Sequence, residues 1–543
     1  MRPTDIFDAI VIGAGSAGCV TASRLSAAGM RTLLVEAGPR RLSLWQKLPL
    51  GVGKALHDPR RVWLDQCESS EILNGRSLQW HAGRGSGGSS SVNGMLAVRG
   101  DPALYNDLQH YGINGWSYTE CLPYFKALER VQFSAAQLRG HHGPIDIRRL
   151  DKTKYCEAFH GAFNALGIES RDDYNTSYAA GVYQLQLTAG QYVRSDASQY
   201  LTKISDQRYL TILHDTVADH LLVKNDEIIG VELITKGVNR EVRRAPNVFL
   251  CLGAVRTPQI LEKSGIGNPH YIQAGGISVT HRLDAVGENL RDHLMVRQTF
   301  EGKFKETIND LFTSKLFLAT QGARYLLGRS PCLLNTSSLL ATAFVPDSTT
   351  SSHPRFRVQL GLGSAEGRLS IDLKSGIDAY SGFHIGVYDI SPKSVGSVHI
   401  KREDGDLTPC ITPSYLTDSS DISRLKRGYK FISLLAEQKS LRETYSRRTR
   451  PLENIGNSTS LMEYFSRSAH TCWHPVGTCR MGKDESDSVT ASDGRVHGMR
   501  NLFIYDASIY PFHTSSNTNL PVLMAAEKLV HKFLGLTNKD FQN

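Results

Sequence analysis

The chain has 543 residues, 40% of them hydrophobic and 21% charged, with a formal net charge of +9. That length exceeds one ordinary core and implies two closely joined domains, while no run of about 18 uncharged apolar residues offers a membrane-spanning helix. The basic residues are dispersed in short runs such as Arg148-Arg149 and Arg447-Arg448-Thr449-Arg450 without interleaved aromatics, which excludes a nucleic-acid platform and leaves a solvated basic surface.

Phe7 to Ile12 reads as an apolar strand that starts too early to leave room for a signal peptide. Gly13-Ala14-Gly15-Ser16-Ala17-Gly18 follows at once, then a helical pattern from Ala17 to Ala28 stopped by Gly29, and a second strand Thr32–Val35 closed by Glu36. This is a dinucleotide fingerprint in its full strand–helix–strand context. Gly13 permits the tight turn, Gly15 lets backbone approach a pyrophosphate, and Gly18 lets helix and strand pack closely. The helix start offers unpaired N–H groups to phosphate. Glu36 is placed to accept from ribose hydroxyls, and its charge opposes a 2′-phosphate, so FAD and NAD fit and NADP does not.

Gly83 to Met95 (GRGSGGSSSVNGM) is too rich in glycine and serine for a regular element and reads as a loop lying against something flat or anionic. Leu210 to Val217 reads as strand. The apolar strand Val248–Leu252 leads into Gly253-Ala254-Val255-Arg256-Thr257-Pro258, where Pro258 suits a first helical position and Gly265 and Gly267 end the helix. Thr349 to His353 is a short polar loop. Phe383–Ile390 and Gly396–Ile400 read as antiparallel strands, and Ser420–Glu437 and Ser458–Ser468 as amphipathic helices.

Near the C-terminus, His470-Thr471-Cys472-Trp473-His474-Pro475 sets two histidines in a polar-aromatic run. Histidine titrates near neutrality and is the natural side chain for a general base. On residue type alone His470, His474, His497 and His513 all qualify. His470 and His474 lack a third ligand nearby, so no metal site is expected. Asp506 and Ala507 follow an apolar strand, and a helical pattern from Val522 to Phe533 closes the chain. The nine cysteines show no CxxC pair or zinc spacing and read as reduced thiols of a cytoplasmic protein.

With these motifs the chain resembles the glucose–methanol–choline (GMC) oxidoreductases. The resemblance rests on the N-terminal fingerprint, the Gly83–Met95 loop, the Gly253–Gly267 segment, Val286-Gly287-Glu288-Asn289-Leu290-Arg291-Asp292-His293, and the C-terminal run around His474 and Asn517. It departs from the family at Ser86, where an aliphatic residue is usual. The resemblance implies an α/β architecture: a Rossmann-like FAD-binding domain from segments 1–155, 209–300 and 468–543, and a substrate domain of antiparallel sheet and helices from 156–208 and 301–467. It implies FAD contacts from Gly13, Gly15, Ser16, Ala17, Gly18, Glu36, Ala37, Arg84, Gly87, Gly88, Ser90, Asn93, Gly94, Met95, Gly253, Asp506, Ala507, Thr518 and Asn519, with the backbone of Val217 meeting adenine. Val92 stands where some relatives carry a flavin-linked histidine, so FAD is expected to be non-covalent. The start of the final helix, around Thr518, is expected to aim positive charge at the flavin. His474 is implied as the base and Asn517 as its partner, with Trp473 and Cys472 in the substrate pocket.

The implied reaction is oxidation of a small-molecule alcohol, with oxygen or another electron acceptor as final oxidant. The His474–Asn517 pair and the Thr518-Asn519-Leu520-Pro521 tail look most like aryl-alcohol, hydroxymethylfurfural and pyridoxine oxidases, so a primary alcohol on an aromatic or heteroaromatic ring is the expected substrate. Choline fits less well, because no acid can be placed as a quaternary-ammonium partner. Lyases of the hydroxynitrile type and light-driven decarboxylases share the fold and are the alternative. Nothing in the sequence sets an oligomeric state.

Overall fold

A computed structural model describes residues 6–134, 137–347, 353–366, 376–452, 455 and 458–536. The polar stretch 349–352 lies outside the described residues.

Continuous apolar runs build a five-stranded parallel sheet in the order Leu210–Leu213, Thr32–Val35, Ala9–Ile12, Val248–Leu250, Leu502–Ile504. Strands buried on both faces need no alternation, and the inner three are buried throughout. Val11 pairs with Leu34 on one side and Phe249 on the other. The helix Ser16–Ala27 packs on the closing helix Asn519–Phe533. Arg24 locks the two together through Glu527 at 2.9 Å, whose other oxygen accepts from Tyr200. Leu210 to Val217 is two strands, not one: the chain turns at Asp215 (φ 52°), and Thr216–Lys224 joins a separate antiparallel sheet.

The second sheet runs Tyr445–Arg450, Leu294–Gly302, Gly382–Asp389, Pro354–Gly361, Leu339–Pro346, Gly181–Gln184, Ser170–Arg171. Its first six strands pair antiparallel, with His470–Thr471 bridging to Leu294 and Met295. The helices Ser419–Ala436 and Ser458–Ser468 follow as the sequence implied, the former packing on Gly382–Asp389. Gly396–Glu403 instead belongs to a three-stranded sheet with Glu288–Leu290 and Asp406–Thr412.

Pro258 is not the first residue of its helix. The helix spans Gly253–Lys263 with Pro258 in its interior. A proline there lacks the N–H that would bond the Ala254 carbonyl, and the Thr478 hydroxyl takes that acceptor at 2.6 Å. A donor from 220 residues downstream makes the interior proline tolerable.

Candidate active site

A cavity of about 1480 Å³ lies between the two sheets. Ile12 and Val35 bound it at the carboxyl ends of the parallel strands, and Met295, Gln359 and His384 bound it from the antiparallel sheet. Gly13, Gly15, Ser16, Ala17, Glu36, Ala37, Gly88, Asn93, Gly94, Met95, Val217, Gly253, Asp506, Ala507, Asn517, Thr518 and Asn519 all line it, together with Cys472, Trp473 and His474.

Four of the sequence-derived residues stand behind the wall instead. A Cβ at Gly18 would meet the Gly13 carbonyl oxygen at 1.7 Å, so its role is helix–strand packing. Gly87 donates its N–H to Ala14 at 2.8 Å. Ser90 donates to the Gly87 carbonyl and accepts from the Ala197 N–H. Arg84 donates to the Ala37 carbonyl and lies over Trp63.

The cavity floor is backbone. A Cβ at Gly88 would stand 2.6 Å from the Gly15 Cα, and Gly88 has φ +49°, so the glycine–serine loop lies directly on the first turn. The helices Ser16–Ala27 and Asn519–Phe533 both begin at this floor without a side-chain cap, leaving first-turn N–H groups for an anionic ligand. Ser16 Oγ donates to Asn519 Oδ1 at 2.7 Å, joining the two helix starts. Glu36 is buried and accepts the N–H groups of Ala14, Gly38 and Gly85, each at 2.8 Å. Its carboxylate therefore shapes the loops as well as facing the cavity. Asp506 accepts from the Gly253 N–H and the Thr257 hydroxyl with one oxygen, and from Ser508 with the other. Arg194, which no local pattern marks, is buried and donates to Asn93 Oδ1 at 2.7 Å and to the Ser90 and Gln46 carbonyls. Burial pulls its guanidinium down to about 10. An elongated anion with a flat ring fits this uncapped cradle with its backbone floor.

At the other end of the cavity, His474 Nε2 lies 3.0 Å from Asn517 Nδ2. Asp292 holds His474 by its backbone: Oδ1 accepts the His474 N–H at 2.7 Å, and Oδ2 accepts from Thr471 and Tyr415. Burial pushes the Asp292 carboxyl up against those three donors. His474 Nδ1 meets His293 Nδ1 at 3.0 Å. His293 is fully buried, which drives its imidazole well below the ordinary histidine range, and His474 and Arg357 push the same way. Arg357, also fully buried, donates to Asn517 Oδ1, Ser516 Oγ and Thr342 Oγ1.

The other candidate histidines separate clearly. His513 donates Nε2–H to the His474 carbonyl at 2.9 Å and stacks on His293 at 3.8 Å, so it clamps the His474 segment. His470 lines the cavity. His497 bonds Ser488 away from it. Trp473 adopts φ 59°, stacks on His81 at 4.7 Å and donates to the Gln79 carbonyl, which fixes one wall beside His474. His293 and Asp292 lie in a motif already visible in the sequence, but that motif gives them no role. Arg357 sits in a strand with no local signal at all. Among the described residues, Asp219, His220 and Glu232 could bring metal-ligand atoms together, yet Lys263 and Arg240 already pair with the two carboxylates. No helix among the described residues is long and apolar enough to cross a membrane.

Comparison with known proteins adds three findings. The family models described as GMC oxidoreductase match residues 7–295 and 392–526. The chain is 31% identical over 540 residues to an oxygen-dependent choline dehydrogenase of Photobacterium profundum, covering 98% of this chain and 93% of that one. It is 32% identical to an alcohol dehydrogenase [acceptor] of Pseudomonas putida, covering 96% and 94%. Among solved structures, pyridoxine 4-oxidase from Mesorbium loti is 26% identical with a TM-score of 0.86, covering 98% of this chain and 100% of that one.

Proposed function

This chain belongs to the GMC oxidoreductases, and we propose that it oxidises a primary alcohol on an aromatic or heteroaromatic ring to the aldehyde, with His474 as base. GMC oxidoreductases bind FAD, act on CH–OH donors and are enzymes; the cradle above suits that cofactor. Bound there, FAD supplies the acceptor for the hydride that leaves the carbinol carbon. His474 Nε2 takes the hydroxyl proton, and the Asn517 amide holds the substrate oxygen. Oxygen or another electron acceptor is the final oxidant.

The observation that carries this reading is the 3.0 Å His474–Asn517 pair facing the same cavity as the uncapped glycine turn. Apolar walls from Met295, Ile308, Leu311, Leu334 and Leu339 favour a ring over a charged headgroup. The cavity carboxylates are already engaged: Asp65 with Arg256, Glu68 with Lys401, Asp219 with Lys263, Glu403 with Thr408, and Glu36 and Asp506 with the loop donors described above. Among the described residues, no cavity-lining carboxylate near His474 is left unengaged for a quaternary ammonium. Val92, on the wall, offers no atom for a flavin bond, which supports dissociable FAD. Nine free thiols, seven of them buried, support a reducing compartment such as the cytoplasm. The five-segment division into FAD and substrate parts is supported by the strand membership of the parallel sheet, with Leu294–Gly302 extending the substrate sheet across its boundary.

The test is anaerobic mixing of the yellow protein with a panel of primary alcohols in the dark. Bleaching of the visible flavin band by aryl alcohols is expected. Cyanohydrin cleavage without bleaching by any alcohol would overturn the proposal in favour of a lyase.

A further inference from the structure

We propose that Arg357 and His293, neither of which lines the cavity, are positioning residues that fix the tautomer of His474 so that its Nε2 meets the alcohol with a lone pair. The inference rests on the reading of His474 as the base.

The argument starts from two groups whose hydrogen-bond polarity is fixed by chemistry. A guanidinium only donates, and a carbonyl oxygen only accepts. At one end, Arg357 Nη1 donates to Asn517 Oδ1. The amide is thereby oriented with Nδ2 toward His474 Nε2, 3.0 Å away. An amide nitrogen only donates, so Nε2 must accept. A flipped amide would set two donors, Arg357 Nη1 and Asn517 Nδ2, against each other.

At the other end, His293 Nε2 lies 2.6 Å from the Ile390 carbonyl oxygen and must carry the hydrogen. Burial keeps that ring neutral, so its Nδ1 holds a lone pair. His474 Nδ1, 3.0 Å away, must then be the donor. Both ends give the same answer by separate routes: Nδ1–H and bare Nε2 on His474. The line Arg357–Asn517–His474–His293–Ile390 runs donor to acceptor in one direction throughout.

The charge at its head matters as well. Arg357 is fully buried, and its hydrogen-bond partners Thr342, Ser516, Tyr388 and Asn517 are all neutral. Its field opposes a resting proton on His293. Arg357 comes from the strand Pro354–Gly361 and Ile390 follows the strand Gly382–Asp389, while His474 and Asn517 come from the C-terminal segment.

Two substitutions at His293 separate polarity from packing. Asparagine places Oδ1 where Nδ1 was and preserves the acceptor for His474; glutamine places its polar end near the old Nε2 and removes that acceptor. With FAD-loaded enzyme and benzyl alcohol as probe, His293→Asn is expected to reduce flavin within about tenfold of wild type with the same pH profile. His293→Gln is expected to slow reduction by roughly 10²–10⁴-fold, the scale of a mis-set catalytic histidine, with FAD content and half-saturating alcohol unchanged. Equal losses in both variants would overturn the proposal.

Nitrogen-15 spectra of histidine-labelled holoenzyme give a second readout that needs no turnover. Wild type is expected to show protonated Nδ1 on His474 and protonated Nε2 on His293, and Arg357→Met is expected to mix the His474 tautomers. A single Nε2–H tautomer on wild-type His474, or an unchanged spectrum in Arg357→Met, would refute the assignment. Normal flavin reduction by His474→Ala would instead remove the base reading itself, leaving the spectra to decide the tautomer independently.

Discussion

The Thr478 hydroxyl lies 2.6 Å from the Ala254 carbonyl oxygen, the acceptor that Pro258 cannot serve from within its own helix. The contact ties the run that carries His474 to the helix that begins at the cavity wall with Gly253. Thr478→Val should cost about 1–3 kcal/mol, the penalty for leaving a buried carbonyl unpaired. Adding Pro258→Ala restores an internal N–H donor, so the Thr478→Val penalty should shrink in that background. Thermal unfolding of the four proteins in a double-mutant cycle measures the coupling, and additive losses would contradict this account.

Much of the cofactor cradle is legible in the sequence because its signals are local. Gly13, Gly15 and Gly18 sit between short apolar strands, and each strand pairs where its pattern suggests. The final helix was readable for the same reason, beginning at Asn519, three residues before the pattern's start at Val522. What escaped depends on partners far along the chain. Arg194 acquires its role from Asn93, 101 residues away, and Arg357 from Asn517, 160 residues away. Neither strand nor loop around them differs from an ordinary surface segment in composition. Pro258 misled for the same reason, since only the fold brings Thr478 to it. Among the histidines, residue type left four candidates open, and three-dimensional contacts separate them by what each ring nitrogen faces.

His474→Ala removes the one imidazole that meets Asn517 Nδ2. Loss of a positioned general base lowers the rate by roughly 10²–10⁴-fold. Stopped-flow flavin reduction should fall by that factor while the protein stays yellow, because His474 lies at the other end of the cavity from the glycine turns proposed to seat the cofactor. Reduction at near wild-type rate would remove His474 from the mechanism.

Gly88→Ala tests the cradle directly. Its Cβ would enter to 2.6 Å from the Gly15 Cα, and the residue has φ +49°, a region alanine rarely adopts. The contact is backbone on backbone, so no side chain can swing aside. The variant should purify with little or no FAD and resist reconstitution, whereas Gly29→Ala, with φ +83° but open space around its Cβ, should keep its colour despite some strain. Flavin absorbance per protein after gel filtration reads both, and a fully loaded Gly88→Ala protein would refute the proposed seat of the cofactor.

His399 supplies a pH dependence of stability separate from catalysis. Its Nδ1 meets Glu262 at 2.8 Å, its Nε2 meets Glu288 at 3.2 Å, and its ring stacks on Tyr271 at 3.4 Å. Burial alone would lower its pKa, but the hydrogen bonds and charges of the two glutamates raise it to about 9. Burial pushes the Glu262 carboxyl upward against the same imidazolium, and the fully buried carboxylate also accepts the Ile400 N–H. A histidine raised from about 6.5 in the unfolded chain binds its proton more tightly when folded. Its contribution is fully present below pH 6.5 and is lost as pH rises through about 9, up to about 3 kcal/mol in all. Thermal midpoints measured from pH 6 to 10 should therefore decline for wild type across that window. His399→Gln should start lower and decline less, because the titrating ring is gone. Parallel curves for the two proteins would show that His399 does not carry the dependence.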